Sequence, residues 1–434
     1  MAYPKIPELG ELSAHIIEFA RVAHENGNEE VGGLLDKLEK DLTAALENVK
    51  NLAPSQENLL RQPSDLQAIV NLRDCGPRKQ WQTFDQETYA DRLEGALLGR
   101  LAGCTLGAPV EFWEIADMES WAKHIGDTFP PVDYWSAVPY PHHLRYLIGK
   151  CEGYTRDGMD GVPVDDDTVY TLLGLLIAEE CGLDFTTADV GKTWLKYLPM
   201  ACTAEDVALR GMKAGADPMQ LGGIDNAYRH WIGADIRCDP FAYMAPAYPE
   251  KAAELAYRDA YLSHRQNGLY GAMFFAAAIS AAFALDDPIE ALKVGLSEIP
   301  RDCDLARDVR WALEKGKEIK NYKDARAAVE ERFVGMSAVH TNNNACLTIF
   351  GLMIGDGDFV KTVSETVAMG MDNDCTAATA GSLLGACKGK AAIPARFAEK
   401  FNNTIRSYFH GNPVYQIDDI LNRFTAQAQK VFGQ

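Results

Sequence analysis

Residues 91–112 read DRLEGALLGRLAGCTLGAPVEF and carry glycine at every fourth position: Gly95, Gly99, Gly103 and Gly107. Positions four apart lie on one face of an α-helix, stacked turn over turn. Each glycine costs a helix about 1 kcal/mol relative to alanine, so four on one face need a compensating gain. A face without side chains lets a second backbone approach closely, and the stretch therefore predicts a helix packed tightly against another segment. Pro109 predicts the end of this helix, and Glu111 follows just beyond it.

Helical periodicity continues through most of the chain, whereas the alternation typical of strands is almost absent. The sequence therefore predicts an all-α fold, a large orthogonal helical bundle over residues 89–434. Residues 112–164 are rich in Trp, Tyr, Pro and Gly and are predicted to form an irregular, functional loop. Beyond an apolar helix that starts near residue 168, further helices are predicted at 187–198, 203–214, 250–262, 268–285, 288–297, 303–318, 323–333, 342–354, 357–369, 376–387 and 394–409.

Residues 1–88 are predicted to be a separate N-terminal helical hairpin and extension. Apolar residues recur at helical spacing from Leu9 to Ala23 and again from Leu34 to Val49, with the turn sequence HENGN at 24–28 between them. The pattern predicts a packing or oligomerisation element.

The chain has 434 residues with 42 basic and 62 acidic side chains, so its formal net charge is −20. Binding to nucleic acid or to an anionic membrane needs a basic field, and this charge argues against both partners. The ten cysteines lie at least twelve residues apart, which excludes CxxC zinc or redox motifs and favours free thiols in a reducing cytoplasm. The first residues do not resemble a signal peptide. Residues 266–285 carry no charge but are mostly Ala and Gly, which favours a buried central helix over a membrane span.

Three consecutive carboxylates, Asp165, Asp166 and Asp167, precede the apolar helix. A single aspartate there is explained by helix capping and by the helix dipole. Adjacent carboxylates repel each other by about 3 kcal/mol at ~5.5 Å and an effective dielectric of ~20, and by under ~1 kcal/mol in water. The three therefore need a cation if they are buried.

A second acidic helix start lies at residues 371–386, MDNDCTAATAGSLLGA, where Asp372 and Asp374 precede small residues at four-residue spacing: Ala377, Gly381 and Gly385. Two helices with bare faces can pack closely and bring both acidic junctions into one site. Oxygen ligands without His or Cys pairs favour Mg²⁺, Mn²⁺ or Ca²⁺ over zinc. Five carboxylates suit two divalent ions better than one.

Other enzyme classes fit these spacings poorly. Isoprenoid synthases use DDxxD, but Thr-Val-Tyr follows Asp166–Asp167, and the sequence contains no His-Asp pair of the kind that HD phosphohydrolases need. Gly191–Thr193 reads GKT but lacks the first glycine of a P-loop, because Thr186 stands there.

Four motifs in this order resemble the ADP-ribosylglycohydrolase family, which includes the dinitrogenase reductase-activating glycohydrolases and the ADP-ribosyl-arginine and ADP-ribosyl-serine hydrolases. The resemblance covers about residues 89–410 and leaves out the N-terminal hairpin. The motifs are GALLGRLAGCTLGAPVEF (95–112), DDDTVYTLLGLLIAEECG (165–182), DAYLSHRQNGLYGAMFFAAAISAAF (259–283) and MDNDCTAATAGSLLGA (371–386).

The resemblance implies an all-α fold with two Mg²⁺ ions in a cleft, with Mn²⁺ as an alternative, and ADP-ribose or an ADP-ribosylated substrate as the ligand. It implies catalytic roles for Glu111 and Asp166. It implies these metal ligands: Asp165, Asp166, Asp167, Asp372, Asp374 and Cys375. It implies that these residues line the ADP-ribose pocket: His264, Asn267, Gly268, Tyr270 and Gly271.

Three departures from the family pattern concern this site. Asp165 replaces a neutral Thr, and Cys104–Thr105 stand where the family often has Gly-Asp-Ala. Cys375 replaces a Thr hydroxyl and is a poor Mg²⁺ ligand, so Thr376 or water is an alternative ligand. The metal chemistry of the family is expected to carry over, but the identity of the substrate is not.

The predicted reaction is hydrolysis of a ribosyl glycosidic bond, with Glu111 or a metal-bound Asp as the base. Hydrolysis of another ribosyl nucleoside or nucleotide remains an alternative, and so does a non-catalytic member comparable to the structural lens crystallins of the family. His264 is equally well interpreted as a capping or core histidine, and His142–His143 is interpreted as exposed loop. Six loop aromatics either stack an adenine or pack in the protein: Trp113, Trp121, Tyr134, Trp135, Tyr140 and Tyr154.

Overall fold

The computed structural model describes residues 3–4, 6–137 and 152–433, so the predictions for Tyr140 and His142–His143 lie outside the described residues. The chain divides into two compact units, one of Met1–Leu60 with Arg332–Met336 and one of Arg61–Glu331 with Ser337–Gln434. The predicted division into residues 1–88 and residues 89–434 stays a prediction.

The first unit contains the predicted helical hairpin. Helix α1 spans Leu9–Glu25 and helix α2 spans Val31–Lys50, and the predicted turn lies between them. Neither of these fully described helices has a buried residue. Many of their apolar side chains are exposed, as at Phe19 and Leu34, and the others are half-buried.

Elsewhere in the described part of the chain the structure consists of helices with two short strands, so the predicted all-α class is confirmed. The helices predicted between residues 187 and 387 are present, with ends that differ by three residues or fewer. The helices are α3 (Gln56–Arg61), α4 (Leu66–Asn71), α5 (Gln86–Gly107), α6 (Ile115–Ile125), α7 (Asp166–Cys181), α8 (Thr187–Tyr197), α9 (Thr203–Lys213), α10 (Pro218–Leu221), α11 (Asp239–Met244), α12 (Pro249–Ala260), α13 (Asn267–Ala282), α14 (Pro288–Leu296), α15 (Asp304–Lys315), α16 (Tyr322–Arg332), α17 (Thr341–Gly355), α18 (Phe359–Ala368), α19 (Asn373–Lys388) and α20 (Ile417–Val431).

Helices α5 and α19 pack against each other through the two bare faces. A Cβ atom on Gly103 would lie 2.1 Å from the carbonyl oxygen of Ala377, and one on Gly99 would lie 2.2 Å from that of Gly381. A Cβ atom on Gly385 would lie 2.1 Å from the carbonyl oxygen of Gly95. Glycine is required here because backbone meets backbone, which confirms the predicted close packing. The helices run antiparallel, so the end of α5 meets the start of α19.

Helix α13 is the apolar segment that the sequence analysis assigned to the core. All of its residues, Asn267–Ala282, are buried. Among the described residues, no helix combines the length and the apolar content needed to cross a membrane. Burial on every side explains a helix that is hydrophobic all round.

Two predictions of local structure were wrong. Residues 112–164 are not irregular throughout, because Ile115–Ile125 forms α6. Residues 394–409 do not form a helix. They form two 3₁₀ turns and the strand β1 (Thr404–Arg406), which pairs antiparallel with β2 (Val414–Gln416).

The wrong prediction of a helix at residues 394–409 has a simple physical cause. Phe397, Phe401, Ile405 and Phe409 are all buried and lie four residues apart, which imitates one face of a helix. The residues Asn402–Asn403 between them adopt positive φ angles of 45° and 54°. Asparagine tolerates this left-handed conformation, which ends a helix.

Candidate active site

Six carboxylates from three helix ends come together in one place. Glu111 follows the end of α5, Asp165–Asp167 lie at the start of α7, and Asp372 and Asp374 lie at the start of α19. We call this set the carboxylate cluster: Glu111, Asp165, Asp166, Asp167, Asp372 and Asp374.

The packing of α5 on α19 positions Glu111. A Cβ atom on Gly107 would lie 2.5 Å from the Cα atom of Asp374, so the two helix ends touch. Beyond a short 3₁₀ turn, the backbone N–H of Phe112 donates to the carbonyl oxygen of Met371 at 2.9 Å. Phe112 and Met371 both have positive φ, 61° and 59°, a strained conformation that is concentrated at functional sites. The strain is located next to Glu111 and Asp372.

The first turn of α7 fixes the three consecutive aspartates. Asp165 caps the helix, because its Oδ1 accepts from the backbone N–H of Asp167 at 3.0 Å. Asp167 is fully buried, and Arg100 donates to its Oδ1 at 3.2 Å. Arg100 also donates to Asp239 at 2.9 Å. Asp167 is therefore neutralised in part by a side chain of the protein, whereas Asp165 and Asp166 remain partly exposed.

Ligand atoms within the cluster lie close enough to share cations. In each of four groups of three residues the candidate ligand atoms lie within 4.8 Å of one another, and Asp374 belongs to three of the groups. The groups are Glu111–Asp372–Asp374, Asp165–Asp166–Asp167, Cys104–Asp165–Asp374 and Asp167–Asp374–Cys375. Each group is a candidate cation site, and Asp374 is the ligand that most of them have in common.

The cluster is electrostatically unfavourable without a cation. Burial raises the pKa of Glu111 to about 9, and the charges of Asp374, Asp165 and Asp166 contribute to the shift. Burial and the neighbouring carboxylates also raise the pKa of Asp165 and Asp166 to about 7 and that of Asp374 to about 6. The pKa values of Asp167 and Asp372 are raised well above the usual range for the same reasons.

Unpartnered oxygen atoms show that a divalent cation fits this site. Asp372 and Asp374 are each only 3% exposed, and the Oδ1 atom of each is buried without a hydrogen-bond partner. Leaving a buried acceptor unsatisfied costs about 1–3 kcal/mol, and more for a charged group. Hard carboxylate oxygens are the ligands that Mg²⁺ and Mn²⁺ prefer.

The comparison with known families gives a single family. The family model described as ADP-ribosylglycohydrolase matches residues 85–430, most of the chain. The chain belongs to the ADP-ribosylglycohydrolase family. Membership indicates a glycosidic hydrolase that acts on ADP-ribosyl substrates, in a family that is metal-dependent.

A solved structure described as an ADP-ribosylglycohydrolase-related protein complex has the same fold, with a TM-score of 0.55. It is 21% identical to this chain, and the match covers 79% of this chain and 99% of that one. No curated protein matches this chain.

The residues that the family resemblance assigns to the substrate lie in the interior. His264 is fully buried, and its Nδ1 is 2.8 Å from the Ser263 hydroxyl. Asn267 Nδ2 lies 3.3 Å from His230 Nδ1, and the Tyr270 hydroxyl donates to the Pro63 carbonyl oxygen. Gly268 and Gly271 are buried in the same first turns of α13. Their role in substrate binding stays a prediction.

Glu205 is a buried carboxylate of this interior region that sequence reasoning missed. Its Oε1 lies 3.9 Å from His264 Nδ1. Burial raises the pKa of Glu205 to about 7, and the charge of Asp166 adds to the shift. Arg237 donates to Glu205 and, at 2.7 Å, to Asp259. We call Arg237, Glu205 and Asp259 the Arg237 cluster.

Arg100 is the second residue that sequence reasoning missed. It is fully buried on α5 and donates to side chains from two other helices, those of Asp167 and Asp239. A signal for it exists in the sequence, because it is the one charged residue within the glycine-rich stretch 95–110. A charge in the middle of a buried helix requires buried partners.

Two of the loop aromatics pack inside the protein. Tyr134 and Trp135 are buried, and their polar atoms donate to the carbonyl oxygens of Phe397 at 2.7 Å and Leu106 at 2.9 Å. Both contacts favour the packing interpretation. Trp113 and Trp121 form an edge-on pair with ring centroids 6.2 Å apart.

Proposed function

We propose that this protein is a Mg²⁺-dependent hydrolase that cleaves a ribosyl glycosidic bond of an ADP-ribosylated substrate in the cytoplasm. The observation that carries the proposal is the convergence of three acidic helix ends on one buried cluster with unpartnered oxygen atoms. In the proposal two divalent cations, Mg²⁺ or alternatively Mn²⁺, are held by the carboxylate cluster. When bound, they supply charge neutralisation and a template for the ribose hydroxyls and a water molecule.

The exposure of the carboxylates divides their proposed roles. Asp167, Asp372 and Asp374 are buried and act as ligands, whereas Glu111 and Asp166 are partly exposed and are open to substrate and water. With the charges of the neighbouring carboxylates offset by cations, Glu111 would ionise and accept the proton of the water that attacks C1 of the ribose. That proton passes to the leaving group as the glycosidic bond breaks, and Asp166 orients the water. The charge on the ribose ring in this step is oxocarbenium-like.

The predicted substrate-binding residues have an indirect role in this proposal. The first turns of α13 are buried, and His264, which is buried 3.9 Å from Glu205, acts by positioning that carboxylate. Ser263 supports this arrangement, because its hydroxyl lies between His264 and Arg237, at 2.8 Å from His264 Nδ1 and 3.1 Å from Arg237 Nη2.

Calorimetric titration with ADP-ribose tests the proposal. The titration is carried out in Mg²⁺ and in EDTA, on the wild type, on Asp374→Ala and on Asp286→Ala, whose carboxylate is exposed and outside the cluster. We expect binding that requires Mg²⁺ and that is lost only in Asp374→Ala. Metal binding without affinity for ADP-ribose would favour another ribosyl substrate. The absence of both would favour a structural, crystallin-like role.

The Glu111→Gln variant tests the assignment of the base. We expect ADP-ribosyl hydrolysis to fall by about 10²–10⁴-fold, the usual contribution of a general base, with Mg²⁺ binding retained. Glu114→Gln, an exposed glutamate in the next turn of the chain, is the matched control. Unchanged turnover in Glu111→Gln would remove Glu111 from this role.

A further inference from the structure

Two cysteine thiols lie inside the carboxylate cluster. Cys104, on α5, is 1% exposed, and Cys375, in the first turn of α19, is 6% exposed. The Cys375 Sγ is 3.0 Å from Asp167 Oδ2. The ligand atoms of Cys104, Asp165 and Asp374 form one close group, and those of Asp167, Asp374 and Cys375 form another.

Each of these groups combines one sulfur with two carboxylates, and both groups share Asp374. Mg²⁺ binds oxygen ligands and gains little from sulfur, whereas Zn²⁺ and Co²⁺ accept thiolate and carboxylate together. An independent observation points to a ligand in the same space, since the Oδ1 of Asp374 is buried and has no hydrogen-bond partner. The two thiols therefore lie where they would contact a cation that Asp374 binds.

We propose that Cys104 and Cys375 are metal ligands and that they add affinity for thiophilic divalent cations such as Zn²⁺ and Co²⁺ that Mg²⁺ does not gain from them. The inference rests on the proposed function, in that it needs cations in the carboxylate cluster. In the binding step each S–H bond breaks, the sulfur–metal bond forms and the proton passes to solvent.

Cys238 offers a matched control within the same protein. It is also buried, and its Sγ lies 3.7 Å from a carboxylate oxygen of Asp239. That carboxylate already accepts from Arg100 at 2.9 Å, so its charge is balanced by the protein. Cys238 therefore has the burial and the acidic neighbour of Cys375, but its neighbour has no need of a cation.

The experiment is a titration of the metal-free full-length protein with Co²⁺, followed by absorbance and calorimetry. Bound Co²⁺ gives a sulfur-to-cobalt charge-transfer band only if a thiolate is a ligand. We expect the band in the wild type and in Cys238→Ser, and its reduction in Cys104→Ser and Cys375→Ser. In Cys104→Ser and in Cys375→Ser the Zn²⁺ affinity should fall by on the order of 10–100-fold, because loss of a group that only supports a metal ligand already has an effect of that size. Mg²⁺ affinity should stay within about threefold.

The outcomes separate the two proposals. Stoichiometric Co²⁺ binding without the band, or equal losses of Zn²⁺ and Mg²⁺ affinity in the serine variants, would overturn the role of the thiols and leave the proposed function standing. Failure of the wild type to bind any of the three metals would overturn both. The band in the wild type is measured on unmodified protein, so the test does not depend on the folding of a variant.

Discussion

Two groups of buried charges lie side by side in this protein and are neutralised in different ways. In the Arg237 cluster, a guanidinium group donates to two carboxylates and packs 4.9 Å from the centroid of the Trp194 ring. In the carboxylate cluster, Arg100 reaches Asp167, and buried oxygen atoms of Asp372 and Asp374 have no partner. The first group contains its own cation, whereas buried oxygen atoms of the second have none beside them.

The comparison shows how a structural acid differs from an acid that binds a ligand. Glu205 and Asp372 are equally buried, at 3% exposure, and both have a raised pKa. Burial alone therefore does not distinguish them. What distinguishes them is that Arg237 donates to Glu205, whereas Asp372 keeps a buried oxygen atom without a partner; an uncompensated buried charge is strongly destabilising.

The largest expected effect is the loss of stability when the arginine of the Arg237 cluster is replaced. Arg237→Met leaves Glu205 and Asp259 buried without their partner, and breaking a buried ion pair costs about 3–5 kcal/mol of unfolding free energy. Urea denaturation measures this value. Arg301→Met is the control, because Arg301 pairs with Asp74 and Asp302 at the surface, where such pairs contribute about 0–1 kcal/mol. Equal losses in both variants would remove the contrast between the clusters.

The next largest effect is expected in the carboxylate cluster, where removal of a charge should not lower the unfolding free energy of the metal-free protein. Asp374→Asn removes one unpaired charge, so the metal-free protein should keep or gain unfolding free energy. The Mg²⁺ affinity of the same variant should fall by at least about 10–100-fold, because removal of a residue that only supports a metal ligand already lowers metal affinity by that factor. Denaturation in EDTA and calorimetry with Mg²⁺ give the two values. Marked destabilisation in EDTA would show that Asp374 is a structural acid like Glu205.

A smaller effect is expected from disturbing the helix contact that holds the carboxylate cluster together. A Cβ atom at Gly103 would lie 2.1 Å from a backbone oxygen of α19, and overpacking of this kind costs about 1–3 kcal/mol. Gly103→Ala should therefore lower stability and weaken Mg²⁺ binding. Gly33→Ala is the matched control, because Gly33 is helical and has nothing within 4 Å of its Cβ position. It should stabilise by about 0.4–1 kcal/mol.

The smallest effect is the pH dependence of stabilisation by Mg²⁺. The pKa of Asp165 and Asp166 is raised to about 7 in the folded protein, above the unfolded value of about 4. Protons therefore stabilise the folded, metal-free protein at low pH, and this contribution is lost as the pH rises towards about 7. Mg²⁺ favours the ionised form, so its stabilisation should grow over the same interval.

The difference between melting in Mg²⁺ and in EDTA isolates this contribution. Buried His230 and His340 have pKa values lowered to about 4 and about 3, mainly by burial, and give the opposite pH slope in both buffers. We expect the stabilisation by Mg²⁺ to be larger at pH 8 than at pH 5 by at least about 1.4 kcal/mol, which corresponds to one pKa unit. A difference that does not change with pH would count against the carboxylate cluster as the binding site.

Much of this architecture is predictable from local pattern. The glycines of α5 and the small residues of α19 are read directly from four-residue spacing, and the structure places them in contact. The aspartates before α7 and α19 are recognised because they precede helices. The segment 394–409 shows the limit of such patterns, since its buried residues have a helical spacing that Asn402–Asn403 interrupt.

The sequence by itself determined the all-α class, the position of most helices and the family, because helical periodicity and motif order are properties of neighbouring residues. Only the tertiary structure decided which charges are neutralised within the chain. Arg100 meets Asp167 across 67 residues, and Cys375 meets the same carboxylate across 208. Such pairings depend on how the helices pack and on which charged side chains become buried away from water. They decide that Glu205 accepts from an arginine while an oxygen atom of Asp374 is buried without a partner.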